Sequence, residues 1–223
     1  MTRKAERITA KDNAWQWSRT EQTRRNLLDA AREVFCEQGF TDTAIVAVVR
    51  RAGSSVGSLY HHFGGKTELF VALWEDYEDS REREAAEAVA AARAAGESDP
   101  LELFLVGTRS FLEGCWRRRD LIELWMDGDG PPGFELMRRA RGREWIRQNS
   151  VLLEAGSEPV DRLVVGVLTS VIGEAGREIG TCARKRDADA ICHATLALIR
   201  RLDPLHIDPL RIADPRMHRR TTH

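Results

Sequence analysis

Residues 39–70, Gly-Phe-Thr-Asp-Thr-Ala-Ile-Val-Ala-Val-Val-Arg-Arg-Ala-Gly-Ser-Ser-Val-Gly-Ser-Leu-Tyr-His-His-Phe-Gly-Gly-Lys-Thr-Glu-Leu-Phe, decide the fold. Ile45, Val48 and Val49 recur with helical spacing on one apolar face. Gly53 permits a sharp turn, and Ser55 stands where a short polar side chain caps a second helix, whose inward residues are Leu59 and Phe63. The stretch therefore reads as two short helices, a glycine turn and the start of a third helix. Val56, Ser58, Tyr60 and His61 are left pointing outward. Side chains of these kinds suit a DNA major groove, where methyl-bearing and hydroxyl groups reach base edges and phosphate oxygens.

Working outward, Leu27, Leu28, Ala31, Val34 and Phe35 mark a preceding helix from Glu21 to Gln38, which Gly39 ends. Residues 1–20 form a basic arm with Arg3, Lys4, Arg7, Lys11 and Arg19. It reads either as an unstructured lead-in or as an arm that follows the DNA backbone. Lys66 opens a long helix carrying Leu69, Phe70, Leu73, Trp74 and Tyr77 and running to about Ala95, and Gly96 to Pro100 break the chain. Beyond it, periodicity predicts helices at 101–117, 119–127, 133–155, 158–183 and 186–202. A dense turn lies at 127–133, and a polar tail spans 203–223. No strand pattern appears. The expectation is an all-α protein with a helix-turn-helix DNA-binding domain at 21–66 and a helical ligand-binding and dimerisation domain at 67–202.

With 223 residues the chain can bury a sizeable core in two modest units. The net charge of −1 excludes a uniformly basic binder, yet residues 1–66 carry about +4 and residues 67–100 about −7. The positive end holds the helix-turn-helix. No apolar run approaches the roughly 20 residues that span a bilayer, and Met1 to Glu6 lack the apolar core of a signal peptide, so a cytoplasmic protein without membrane contact is expected. Cys36, Cys115, Cys182 and Cys192 show neither CxxC spacing nor clustering with histidine, and adjacent His61 and His62 point about 100° apart on a helix. The sequence implies no metal, no cofactor and no catalytic residue, and it carries none of the phosphate-loop, HExxH or GxSxG patterns of enzymes.

Ala52-Gly53, Ser55, Gly57, Leu59-Tyr60, His62-Phe63, Lys66 and Leu69 together resemble the signature of the tetracycline-repressor (TetR) family of regulators. The resemblance covers about 50 residues, from Glu21 to Leu73. It implies that the helix from Ser55 to His62 enters the major groove of double-stranded DNA while that from Thr43 to Arg51 crosses the backbone. Tyr60, Lys66 and Thr43 are then expected to contact phosphates, the last two at helix starts where anions are favoured. Base reading falls to Val56, Gly57 and Ser58 with Val46 and His61, and Ser55 completes the DNA-binding set. The chain departs from the family pattern at Ala44, where threonine is usual, at Ser54, where valine is usual, and at Val46, where there is no arginine. Val46 and Val56 favour thymine methyl groups over guanine.

One reading helix covers few base pairs, so a homodimer on a palindromic operator is expected. Gly166, Thr169, Gly173, Gly176 and Gly180 alternate at spacings of three and four, a small-residue stripe that lets helices approach closely, either between subunits or within one chain. The resemblance also implies an effector pocket. Phe104, Phe111, Trp116, Trp125, Met126, Phe134, Met137 and Trp145 would suit its lining or ordinary core equally well. The leading reading is a repressor released from its operator by a small apolar ligand. The alternative is a DNA-binding regulator without a ligand, controlled by a protein partner or by oxidation of Cys115 or Cys182.

Overall fold

A computed structural model describes residues 2–126 and 128–202, with side chains from residue 19 onward. The tail at 203–223 and the side chains of the basic arm before Arg19 lie outside what is described. Nine helices and no strands occur among the described residues, in agreement with the all-α expectation. They are α1 (Thr2–Asp42), α2 (Ile45–Arg51), α3 (Val56–Phe63), α4 (Lys66–Ala94), α5 (Pro100–Arg117), α6 (Arg119–Met126), α7 (Phe134–Leu152), α8 (Pro159–Thr181) and α9 (Lys185–Leu202). None is long and apolar enough to cross a membrane.

Two differences from the sequence reading have local causes. From Thr2 onward the arm is continuous with α1, since neither glycine nor proline interrupts the chain before Gly39. Gly39 does not simply end that helix. At φ 74°, ψ 179° it introduces a kink, in a region essentially confined to glycine, and a last turn follows to Asp42. Two other helix starts carry side-chain bonds: the Asp99 side chain accepts from Glu102 N with Pro100 in the first turn of α5, and Asp161 accepts from Glu158 N at the start of α8.

The chain folds as two compact units, one running to Asp79 and including Asp120–Phe134, the other formed by Ser80–Arg119 and the residues from Glu135 onward. This division differs from the boundary at 66 drawn from sequence, because α6 and its following loop return to the first unit. In that unit Leu27, Ala31, Val34 and Phe35 of α1, Val48 of α2, Leu59 of α3 and Leu69 and Phe70 of α4 are almost fully buried. Burial of each of these side chains other than Ala31 contributes about 1.5–3 kcal/mol. Phe70 is the hub of an edge-to-face cluster, with ring centroids 5.3 Å from Phe35, 5.0 Å from Phe40, 5.1 Å from Trp125 and 5.1 Å from Phe134. α6 is further fastened to α1 by a bidentate pair between Arg32 and Asp120, with both bonds 2.7 Å.

In the second unit α5, α8 and α9 contact one another pairwise. Phe104 and Leu112 of α5, Leu168 and Ile179 of α8 and Ile199 of α9 form its buried centre. Gly176 brings α8 close to α5: a methyl group there would lie 3.1 Å from Cys115 Sγ. Polar ties surround this core. Glu84 pairs with Arg117 and Arg118, Glu82 binds Arg141 at 2.8 Å and Gln148 at 2.7 Å, and Arg200 pairs with Glu102.

Candidate nucleic-acid interface

The helix-turn-helix is assembled by short-range chemistry. α2 ends at Arg51, Gly53 takes φ 58° in the turn, and Ser55 in extended conformation accepts a 3.1 Å hydrogen bond from Ser58 N, capping α3. Buried Val48, Val49 and Leu59 fix the inner faces, and α1, α2 and α3 are in mutual contact. The outer faces are open. Val46 is 55% exposed, Val56 41% and Tyr60 52%, and Gly57 and His61 are exposed beside them while Ser58 is half-buried. Of the residues expected to read bases, all but Ser58 are thus exposed.

Two expected phosphate contacts are placed otherwise. Thr43 is only 3% exposed, and its hydroxyl donates to Gly39 O at 2.6 Å; the N-cap of α2 is Ala44, which offers no side-chain bond. Lys66 Nζ turns inward, donating to Phe40 O at 2.8 Å, Thr41 O at 3.0 Å and Thr43 O at 3.0 Å, and it lies 4.6 Å from the centre of the Phe40 ring. An ammonium has three donors, and here all three are engaged. Lys66 therefore ties α4 to the α1–α2 turn. The sequence reading overlooked Arg50, which is exposed on α2 one turn beyond Val46 and so belongs to the same outward face. The spacing of four was the available signal. Neighbouring Arg51 is unlike it, since its guanidinium binds Glu37 through two nitrogens and reaches Glu33 at 2.9 Å. Half-buried His62 stacks edge-to-face on His61, and burial, reinforced by His61 and Arg24, holds its imidazole below the usual range.

The residues expected to line an effector pocket do not form one set. Trp125 and Phe134 belong to the aromatic cluster of the first unit, and Met126 there is exposed. In the second unit Phe104 is buried, while Phe111 packs edge-to-face on Trp145 at 5.3 Å with the Arg81 guanidinium 4.5 Å from its ring centre. Trp116 carries the Arg119 guanidinium at 4.2 Å, and Met137 is half-buried on α7. Helical spacing showed these positions to be apolar but could not show which body each would join. The Trp125 indole N–H is buried and has no acceptor among the described residues.

The small-residue stripe also divides. Gly176 abuts α5 of its own chain, and the Thr169 hydroxyl accepts from Asn149 Nδ2 at 3.0 Å, so these two serve internal packing. Gly166 and Gly173 face open space, and Gly180 is half-buried. Along the open side Ile146, Leu163, Gly166, Val167, Ser170 and Glu174 border a shallow groove of about 670 Å³.

Residues 27–73 match the family described as bacterial regulatory proteins, tetR family. Over 53 residues the chain is 43% identical to the HTH-type transcriptional regulator SrpR of Pseudomonas putida, a match covering 24% of this chain and 25% of that protein. The chain thus spans about a quarter of the length of this curated relative. Its fold is similar along most of its length to a TetR-family transcriptional regulator from Syntrophomonas wolfei, with TM-score 0.68, 14% identity and coverage of 84% of this chain and 97% of the other. It is similar also to AibR, crystallised with isovaleryl coenzyme A and operator DNA, with TM-score 0.58, 16% identity and coverage of 79% and 97%. Residues 27–73 thus carry the DNA-binding region of the tetR family, and the relatives named here are transcriptional regulators.

Proposed function

We propose that the protein is a DNA-binding transcriptional regulator acting in the cytoplasm as a homodimeric repressor, released from a palindromic operator by a small apolar ligand. The observation that carries this reading is the exposure of Val46, Val56 and Tyr60 on two short helices whose Val48, Val49 and Leu59 are buried. Such side chains gain partners only from outside the unit. In a major groove Val46 and Val56 would meet thymine methyl groups, Gly57 would let the backbone approach closely, Ser58 and His61 would reach base edges, and the Tyr60 hydroxyl and Arg50 would bind phosphates.

Dimerisation is supported by the open side of α8, where Leu163 and Val167 are exposed beside Gly166 and Gly173, and by exposed Leu198 and Leu202 on α9. A self-complementary contact between two such faces brings two reading heads onto one duplex. The effector part is supported by the likeness to AibR, which binds an acyl thioester, and by the unsatisfied Trp125 N–H, a donor that a bound acceptor would complete. Control by thiol oxidation finds less support. Reactivity needs a thiolate, whereas Cys115 is buried, burial pushes Cys36 up to about 11, and burial likewise raises Cys182 and Cys192.

Selection of duplexes from a random-sequence pool tests the central reading. A symmetric consensus is the expected result, altered in sequence by Val56→Ala and weakened uniformly by Tyr60→Phe. Failure of the folded protein to enrich any duplex would refute it.

A further inference from the structure

The α1–α2 turn is gripped from two sides by opposite charges. Lys66 holds its carbonyls, and the Asp129 carboxylate, on the loop after α6, holds its donors: Thr41 N donates to Oδ1 at 3.1 Å and to Oδ2 at 3.0 Å, and the Thr41 hydroxyl donates to Oδ1. Thr41 carries both grips, through its N–H and its C=O. A second, independent observation marks the Asp129 contact as built into the fold. Gly39 lies directly beneath the carboxylate, and a methyl group at that position would overlap Asp129 Oδ2. The hydrogen bonds from the Thr41 hydroxyl and N–H hold the Asp129 carboxyl below the usual aspartate range, with Lys66 adding to the effect.

We propose that Asp129 is a positioning residue for the DNA-reading helices, fixing the turn from which α2, and through it α3, departs. The proposal rests on the reading of α3 as the DNA-contacting helix. Beside the Lys66 bonds and the Thr43–Gly39 bond, the turn lacks the usual supports: Ala44 supplies no side-chain cap to α2, and the kink at Gly39 removes the continuous helical hydrogen bonding that would otherwise set its direction. Three hydrogen bonds to a charged acceptor replace it. Asp129 sits 88 residues along the chain from Thr41, so the aim of the reading helices depends on a contact distant in sequence.

The sign of the effect on binding distinguishes positioning from mere proximity of charge. An acidic side chain near the reading head that did no more than repel phosphates would, when removed, tighten binding and steepen its salt dependence. If Asp129 positions the head, Asp129→Ala weakens binding to a duplex selected with the wild-type protein by about tenfold, with the log-log salt slope unchanged. Asp129→Asn, which keeps an acceptor oxygen without the charge, falls between the two. Thr41→Val, which removes only the hydroxyl, weakens binding less, and adding it to Asp129→Ala changes nothing further, because the two residues act through one contact. Hydrogen exchange in the peptide containing Thr41 should accelerate in Asp129→Ala and not in Thr41→Val, a readout that needs no DNA. Wild-type protein that selects no duplex would remove the DNA reading while leaving the exchange result to stand or fall alone. Tighter binding by Asp129→Ala, additive effects of the two substitutions, or unchanged Thr41 exchange would each overturn the assignment.

Discussion

Replacing Lys66 by methionine separates two roles that the same residue could hold in a DNA-binding head. Methionine keeps most of the stem and its helix propensity but leaves the carbonyls of Phe40, Thr41 and Thr43 without the ammonium that now binds all three at 2.8–3.0 Å. A hydrogen bond to a charged group contributes about 1.5–3 kcal/mol, and three sharing one half-exposed ammonium, screened by solvent, do not sum. The expected loss is about 2 kcal/mol, which for a chain of this length lowers the melting temperature by roughly 4–8 °C. Duplex affinity should fall because the α1–α2 turn loses a support. The log-log salt slope should stay constant, since an ammonium already bound to three carbonyls releases no counterion on docking. Differential scanning calorimetry and fluorescence anisotropy across a salt series measure both quantities on one preparation. An unchanged melting temperature combined with a salt slope reduced by about one unit per subunit would refute the reasoning and restore Lys66 as a phosphate ligand.

Other substitutions probe the same geometry. Gly39→Ala combines strain at φ 74°, ψ 179° with overlap onto Asp129, and should destabilise the protein by about 2–4 kcal/mol in urea denaturation; Asp129→Ala in the same chain should recover only the overlap, leaving the strain. Gly173→Leu, placed where nothing lies within 4 Å, should leave the subunit folded yet shift sedimentation equilibrium toward monomer, whereas Gly176→Leu should destabilise the subunit itself by about 1–3 kcal/mol through Cys115 and Phe111. A dimer undisturbed by Gly173→Leu would place the subunit contact elsewhere. Asp129 has a folded-state pKa below its ordinary value of 3.8, so its contribution is fully present above that value and is lost as pH falls through the depressed one. Acid denaturation curves of wild type and Asp129→Asn should therefore converge at the acidic end and separate above about pH 4. Parallel curves throughout would show that the carboxylate is not linked to folding.

Much of the reading head is legible in sequence because its determinants are local. A cap, a turn glycine and an apolar periodicity act over three or four residues, so Ser55, Gly53 and the Val48, Val49 and Leu59 set announce two helices and their inner faces, and by exclusion the outer face of Val46, Val56 and Tyr60. Sequence also shows which helix faces are apolar, but not what each meets. Lys66 stands at a helix start suited to an anion, yet its flexible stem swings to carbonyls more than 20 residues away, a choice made only once the α1–α2 turn is folded beside it. Thr43 is likewise drawn to Gly39 O by the kink. Only the packed structure could divide Trp125 and Phe134 from Phe111 and Trp145, or turn Gly176 toward Cys115 and leave Gly173 open, because one helical stripe offers neighbours on both flanks and tertiary contact decides between them. Asp129 is the extreme case: within the sequence it is one acid in a glycine- and proline-rich turn, and its role at Thr41 exists only because α6 folds back against α1, where Arg32 holds Asp120.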